Sequence, residues 1–247
     1  MATRLHIGAK ELRGELAAYA KRFDLLEVRG LDVHDLQMGP TAATLRRWRR
    51  TVPPHFEFAV VAGPNLAKLR PGDALDAELE AMRAAATVLE SRMLVVSTPP
   101  DVTPSKLWRD RLAAVVDRLR SDVVTVVWEP SGLWEQDDAA AFGNKLGVTV
   151  AVDPARSEIP PGPIAYGRLR AFGVARAFST TALERVANKI GDRRDAYVIM
   201  ETAGALKEAK TLRGLVRNAN AGKRGGLGRL IRPRGGSLRV GDDEQEE

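Results

Sequence analysis

The side chains in this chain that are best suited to chemistry are charged residues that follow short apolar runs. The clearest case is the run VVTVVWEP at positions 123–130, in which β-branched residues and Trp128 lead to the carboxylate of Glu129. Such a run predicts a buried strand of a parallel sheet, and a charged residue at its end would lie at the edge of that sheet. The other charged residues at predicted strand ends are Glu27, Arg29, Asp153, Arg168, Arg170 and Glu201.

One interpretation of the acidic residues is a site for a divalent metal ion. The four carboxylates would come from four different strands, and carboxylate oxygens are the ligands that suit Mg²⁺ or Mn²⁺. They are Glu27, Glu129, Asp153 and Glu201. A metal ion bound there would act as a Lewis acid or activate a water molecule. Mg²⁺ and Mn²⁺ are therefore the candidate cofactors.

A second interpretation is a pocket for a small anion. Arg29, Arg168 and Arg170 could bind a phosphate or a carboxylate through paired N–H groups. Arg168 and Arg170 are two residues apart on one predicted strand and would point to the same face of the sheet. Glu129, partly desolvated beside Trp128, could then act as a general acid or base.

A third interpretation needs no ligand, because the same carboxylates and arginines could pair with one another. An arginine that faces the inside of a barrel is costly without a partner, and the three arginines favour a site that binds a ligand. We therefore predict a set of catalytic residues and a larger set that binds substrate. The catalytic residues are Glu129, Asp153 and Glu27, and the substrate-binding residues are Arg29, Arg168, Arg170, Trp134 and Glu201.

The three histidines are weaker candidates for chemistry. His6 lies in the middle of the first predicted strand, where a role in the core is expected. His34, in the loop after the second strand, is a candidate proton shuttle. His55 precedes the third strand, at the end opposite to the site, and is expected to be structural.

The elements that must position these residues alternate between strands and helices. Apolar runs predict eight strands over about the first 218 residues, and helical periodicity fills most of the gaps between them. That count and length are typical of a TIM-type (β/α)₈ barrel, whose site lies at the carboxyl ends of the strands. An open doubly wound sheet is the rival architecture. The segment 154–163 is too rich in proline for a helix, so the helix between strands six and seven is expected to be missing.

Composition limits the class of protein. The 247 residues include no cysteine, which excludes disulfides and a thiol nucleophile, and the net charge is +6. No apolar run is long enough to span a membrane, and we expect a soluble, cytoplasmic protein. Residues 1–218 are predicted to form the barrel. Residues 219–247 are rich in glycine and arginine, then acidic, and are predicted to be a disordered tail.

The order of several motifs resembles the YecE-like family, also called domain of unknown function 72. The motifs are Ile7-Gly8, LLEVRG at 25–30, the segment 53–59, VVWEPSGLW at 126–134 and YGRLRAFG at 166–173. The resemblance implies a TIM-type barrel and no established activity. This chain would be a divergent member, since Arg170 stands where the family commonly has histidine and Glu201-Thr-Ala replaces an aromatic-Asn-Asn motif.

From these observations we expect an enzyme or a binding protein for a small anionic ligand, phosphorylated or sugar-like, at the carboxyl ends of the strands. The alternative is a basic protein without enzymatic activity that associates with RNA or single-stranded DNA through its surface and its tail. Two Arg-Gly-Gly segments, at Arg224 and Arg234, and the positive net charge favour that alternative.

Overall fold

Eight strands and eight helices alternate along the chain in the computed structural model, which describes residues 2–29, 40–121, 124–171 and 177–229. The strands are β1 (Arg4–Ala9), β2 (Leu25–Val28), β3 (Glu57–Val61), β4 (Met93–Ser97), β5 (Thr125–Glu129), β6 (Thr149–Val150), β7 (Ile164–Arg170) and β8 (Asp195–Glu201). The helices are α1 (Leu16–Ala20), α2 (Ala42–Thr51), α3 (Pro64–Ala67), α4 (Asp73–Leu89), α5 (Lys106–Leu119), α6 (Gln136–Leu146), α7 (Thr180–Ile190) and α8 (Ala205–Arg229).

The strands form two parallel sheets that meet at two seams. One sheet has the order β2-β3-β4-β5-β6, and the other has the order β1-β8-β7. At one seam, Val152 pairs in parallel with Gly167 of β7. At the other, the amide of Asp24, just before β2, donates to the carbonyl of Ile7 in β1 at 3.1 Å. The cyclic order of the strands is that of a TIM-type barrel and excludes the open doubly wound sheet.

The seam between β1 and β2 depends on a glycine. A Cβ atom at Gly8 would lie 2.6 Å from the carbonyl oxygen of Leu25 in β2, which is well inside van der Waals contact. The main chains of the two strands can therefore approach closely only because Gly8 has no side chain.

Alternate residues of each strand face two separate apolar layers. One face of the strands fills the inside of the barrel with residues such as Leu25, Val95 and Tyr197. The other face packs under the helices through residues such as Leu26 and Leu94. Since both faces are buried, the strands are apolar throughout and only their ends carry charged groups.

The segment between β6 and β7 is described in full and contains no helix, which confirms the prediction made from its prolines. The last helix extends beyond the predicted end of the barrel. The boundary placed after residue 218 falls inside α8, which continues to Arg229. Asn220 accepts a hydrogen bond from the amide of Thr3 at 3.1 Å and donates to its carbonyl at 3.2 Å, so this part of α8 is attached to the start of β1. Residues 230–247, most of the predicted tail, lie outside the described residues. Among the described helices, none is long and apolar enough to cross a membrane.

Candidate functional site

The charged residues at the carboxyl ends of β2, β5, β7 and β8 meet around one arginine. Both terminal nitrogens of Arg168 donate to Glu27, Nη2 to Oε1 at 2.6 Å and Nη1 to Oε2 at 2.9 Å. Its Nε donates to Oε2 of Glu129 at 2.8 Å, and Nη1 also donates to Oε1 of Glu201 at 3.2 Å. The side chain of Arg168 is only 2% exposed. Three of the four predicted carboxylates are therefore brought together, with a cation at their centre.

Two more arginines close this group from the solvent side. Arg170 donates from Nη2 to Oε1 of Glu129 at 2.5 Å and from Nε to Oε2 of Glu201 at 3.2 Å. Arg29 donates from Nη2 to Oε2 of Glu27 at 2.5 Å. Their side chains are 40% and 47% exposed, respectively. We call the group of Glu27, Arg29, Glu129, Arg168, Arg170 and Glu201 the rim cluster.

Two hydroxyl groups complete the hydrogen bonds of the rim cluster. The hydroxyl of Tyr166 donates to Oε1 of Glu27 at 2.6 Å, and the hydroxyl of Ser97 donates to Oε2 of Glu129 at 2.6 Å. Neither residue is in the predicted catalytic or substrate-binding set. The sequence places Ser97 at the end of a predicted strand, and the period of two along a strand places Tyr166 on the same face as Arg168. Ser97 pairs with Glu129 across β4 and β5, which only the strand register shows.

The electrostatics of the rim cluster favour charged side chains. Burial alone would raise the pKa of Glu27 and Glu129, but the attraction of Arg168 and of the outer arginines outweighs it and lowers both pKa values. Burial likewise opposes the charge on Arg168, yet Glu27 and Glu129 raise the pKa of its guanidinium. Burial and the charge of Glu27 raise the pKa of the Tyr166 hydroxyl, which therefore remains a donor.

The rim cluster does not fit the predicted Mg²⁺ or Mn²⁺ site. Every carboxylate oxygen of Glu27, Glu129 and Glu201 already accepts a hydrogen bond from an arginine. Arg168 keeps its charge at any physiological pH and lies between these carboxylates, where it would repel a divalent cation. Among the described residues, no group of three or more acidic or histidine side chains is placed to hold a metal ion.

Asp153, the fourth predicted carboxylate, lies apart from the rim cluster. Strand β6 is shorter than predicted and ends at Val150, so Asp153 begins a turn in which its carbonyl accepts from the amides of Arg156 and Ser157. Oδ1 accepts from the amide of Ala155 at 3.0 Å. Oδ2 is buried and accepts no hydrogen bond of normal geometry, and Nε of Arg156 is 3.7 Å away. The backbone amide and the charge of Arg170 also act on this carboxylate. Burial raises the pKa of Asp153 above its usual value.

Asp153 lines a pocket between the ends of β5, β6 and β7. The pocket has a volume of about 180 Å³, and its charged walls are Asp153, Glu129, Arg168 and Arg170. Trp134, one of the predicted substrate-binding residues, forms part of its apolar wall. Most of this indole is buried against Trp128 and Phe142, and its Nε1 donates to the carbonyl of Val102 at 2.7 Å. Trp134 is therefore a fixed wall that cannot swing towards a ligand.

A larger pocket of about 600 Å³ lies at the same end of the barrel, between β1 and β8. The acidic residue Glu201 of the rim cluster lines it, together with the basic residues Lys10, Arg13 and Arg22. The sequence did not indicate this pocket, because Arg13 and Arg22 are not at strand ends and only Lys10 directly follows a strand.

The histidines contribute little to this end of the barrel. His6 stacks on Tyr197 inside the barrel with ring centroids 4.9 Å apart, and burial lowers its pKa, so it is neutral. His55 is exposed just before β3, at the opposite end from the rim cluster. His34 lies outside the described residues.

Comparison with known proteins confirms the resemblance drawn from the motifs. The family model described as "Protein of unknown function DUF72" matches residues 7–227. No curated protein matches the sequence. A DUF72 family protein from Enterococcus faecalis V583 is 14% identical, with a TM-score of 0.67, 87% of this chain covered and 98% of that chain covered.

Two further solved structures show the same fold. A DUF72 family protein from Thermotoga maritima MSB8 is 14% identical, with a TM-score of 0.65 over 87% of this chain and 99% of that chain. A D-psicose 3-epimerase from Clostridium cellulolyticum H10, solved with D-tagatose, is 12% identical, with a TM-score of 0.52 over 93% of this chain and 99% of that chain. At these identities the likeness extends to the fold alone.

Proposed function

This chain belongs to the DUF72 family of proteins of unknown function, and from that premise we propose that it binds a small anionic ligand, phosphorylated or sugar-like, beside the rim cluster. The proposed site is the pocket between β5, β6 and β7. The observation that carries the proposal is the carboxylate of Asp153, which lines this pocket together with Arg170 and whose buried Oδ2 has no hydrogen bond of normal geometry. A buried polar atom left unpaired is costly, and a donor from a ligand would remove that cost.

Arg170 supplies the positive charge for this ligand. Its Nε and Nη2 are held by Glu201 and Glu129, while Nη1 makes no hydrogen bond to the described residues. The side chain is 40% exposed, so it can contact a ligand without breaking the buried part of the rim cluster. A guanidinium held in one orientation binds a phosphate or carboxylate with little loss of side-chain entropy.

Some of the other predicted residues would contact the ligand, and the rest would hold the contacting side chains in position. Glu27 and Arg168 are buried and bonded to each other twice, so in this proposal they position Glu129 and Arg170. Glu129 faces the pocket but is neutralised by two arginines, and its lowered pKa does not suit a proton donor. Asp153, whose pKa is raised, is the better candidate for a general acid or base acting on a ligand hydroxyl.

The size of the pocket limits the ligand. A volume of about 180 Å³ is below the ~300–1,000 Å³ of pockets for drug-sized molecules. It suits a monosaccharide of three to six carbons or one end of a larger ligand. The epimerase of similar fold was solved with D-tagatose, which makes sugars and sugar phosphates a sensible first series to test.

The test is isothermal titration calorimetry of the full chain with three- to six-carbon sugars and their phosphates. Asp153→Asn should weaken the binding of the best ligand about tenfold, as expected for a hydrogen bond to a charged group. The matched control is Asp110→Asn, since Asp110 is an exposed residue of α5 that pairs only with Lys106. No binding across the series, or equal losses in both variants, would remove the proposal.

The alternative of nucleic-acid association has one structural observation in its favour. Arg46, Arg47 and Arg50 of α2 are exposed, and none has a carboxylate within 4 Å among the described residues. Such a surface would bind RNA or single-stranded DNA through phosphates, with an affinity that falls steeply as salt rises. Replacing all three residues with glutamine should abolish binding of a labelled single-stranded oligonucleotide. Binding that survives this change and is insensitive to salt would exclude the alternative.

A further inference from the structure

A further pocket lies at the opposite end of the barrel from the rim cluster, where the chain enters β3, β4 and β5. Its volume is about 670 Å³, and its basic lining residues are Arg49, Arg83, Arg92 and Arg120. Arg92 is five positions before Ser97 of the site described above, which is roughly 16 Å along an extended strand. We propose that this pocket, here called the basal pocket, binds an organic phosphate monoester.

Arg49 of the basal pocket is held in place without being neutralised. Its Nη1 donates to the carbonyl of Phe56 at 3.1 Å and its Nη2 to the carbonyl of Pro53 at 2.6 Å. Its guanidinium lies over the ring of Phe58, 5.5 Å from the centroid. Carbonyl groups and an aromatic face fix the orientation of a guanidinium but leave its full charge available to an anion.

The other arginines of the basal pocket are also weakly compensated. Arg92 is exposed, and its side chain makes no hydrogen bond or ion pair with the described residues. Arg83 and Arg120 each donate to a backbone carbonyl. Their acidic partners Glu80 and Asp117 lie on the surface at 2.9 and 3.9 Å, where such pairs neutralise little charge.

The remaining walls of the basal pocket identify the class of ligand. Its floor is made of buried apolar side chains that include Phe56, Leu94 and Leu119, so an ion alone would leave this surface without contacts. Glu57 and Glu90 also line the pocket and leave an excess of two positive charges against the four arginines. A phosphate monoester carries about two negative charges at neutral pH. Its organic part would cover the apolar floor.

The test is calorimetric titration of the full chain with phenyl phosphate, with inorganic phosphate and phenol as the two halves of the probe. Phenyl phosphate should bind more tightly than either half. Arg92→Gln should weaken its binding about tenfold, since a hydrogen bond between charged groups is lost. Because Arg92 is exposed and holds no other residue, this variant should fold like the wild type. Arg49→Gln should have the same effect on binding.

Two control variants show whether the affinity for phenyl phosphate belongs to the basal pocket. Arg46→Gln removes an equal charge from an exposed position of α2 and should leave that affinity unchanged. Arg185→Gln should also leave it unchanged, because Arg185 is exposed on α7 and lines neither the basal pocket nor the pocket beside the rim cluster. The proposal is overturned if phenyl phosphate does not bind, if inorganic phosphate binds as tightly, or if Arg92→Gln and Arg46→Gln lose affinity equally.

Discussion

Replacing Arg168 with methionine tests the rim cluster most directly. The guanidinium is 2% exposed and contacts carboxylates of Glu27, Glu129 and Glu201 at 2.6, 2.8 and 3.2 Å. Methionine fills much of the same space but leaves Glu27, whose side chain is fully buried, with only the half-exposed Arg29 as a counter-charge. Removing one partner of a buried ion pair costs about 3–5 kcal/mol. Since each kcal/mol lowers the melting temperature of a domain of this size by roughly 2–4 °C, we expect a fall of about 6–20 °C.

The assay is urea-induced unfolding of the wild type and the variant at pH 7 and pH 5, followed by circular dichroism. Without Arg168, burial would raise the pKa of Glu27, so the variant should gain stability relative to the wild type as the pH falls. Arg29→Met is the matched control, since it removes one half-exposed contact with the same carboxylate and should cost less than about 1 kcal/mol. A loss in Arg168→Met no larger than in this control would refute the view that the buried arginine holds the cluster together.

Three further predictions test other parts of the structure. Because the pKa values of Glu27 and Glu129 are lowered in the folded state, their ionisation stabilises the fold fully above the unfolded pKa of about 4.3. This stabilisation should be lost as the pH falls below that value, which acid titration followed by circular dichroism measures. An unfolding transition that begins near neutral pH would contradict this prediction. Gly8→Ala should destabilise the folded chain by about 1–3 kcal/mol, because the added Cβ would lie 2.6 Å from a carbonyl oxygen of β2. Unchanged stability in urea-induced unfolding would show that the seam between β1 and β2 can widen freely. Asn220→Ala removes two hydrogen bonds to Thr3 and should cost about 1–2 kcal/mol, whereas no loss in thermal unfolding would mean that the end of α8 is not part of the barrel.

Much of the fold could be predicted because it rests on local patterns. The run TVVWE at 125–129 becomes a strand because β-branched residues fit a pleated, buried surface, and the same run shows which residue ends it. The prolines before β7 exclude a helix for a reason that is equally local, the missing N–H and the fixed φ. The extent of α8 is harder to predict, because the glycines after residue 218 suggest disorder, while the attachment of Asn220 to Thr3 joins residues 217 positions apart.

The candidate site shows the same division. Most of the charged side chains near the carboxyl ends of the strands can be predicted from where each apolar run stops, although Asp153 lies in a turn beyond the end of β6. The position of Arg168 among three carboxylates, and the buried Oδ2 of Asp153 without a hydrogen bond of normal geometry, follow from the tertiary structure. Glu27 and Arg168 are 141 positions apart, and closure of the barrel and the register of its strands bring them within 2.6 Å. Periodicity describes the faces of one element at a time, so it cannot determine which charges from different elements will meet.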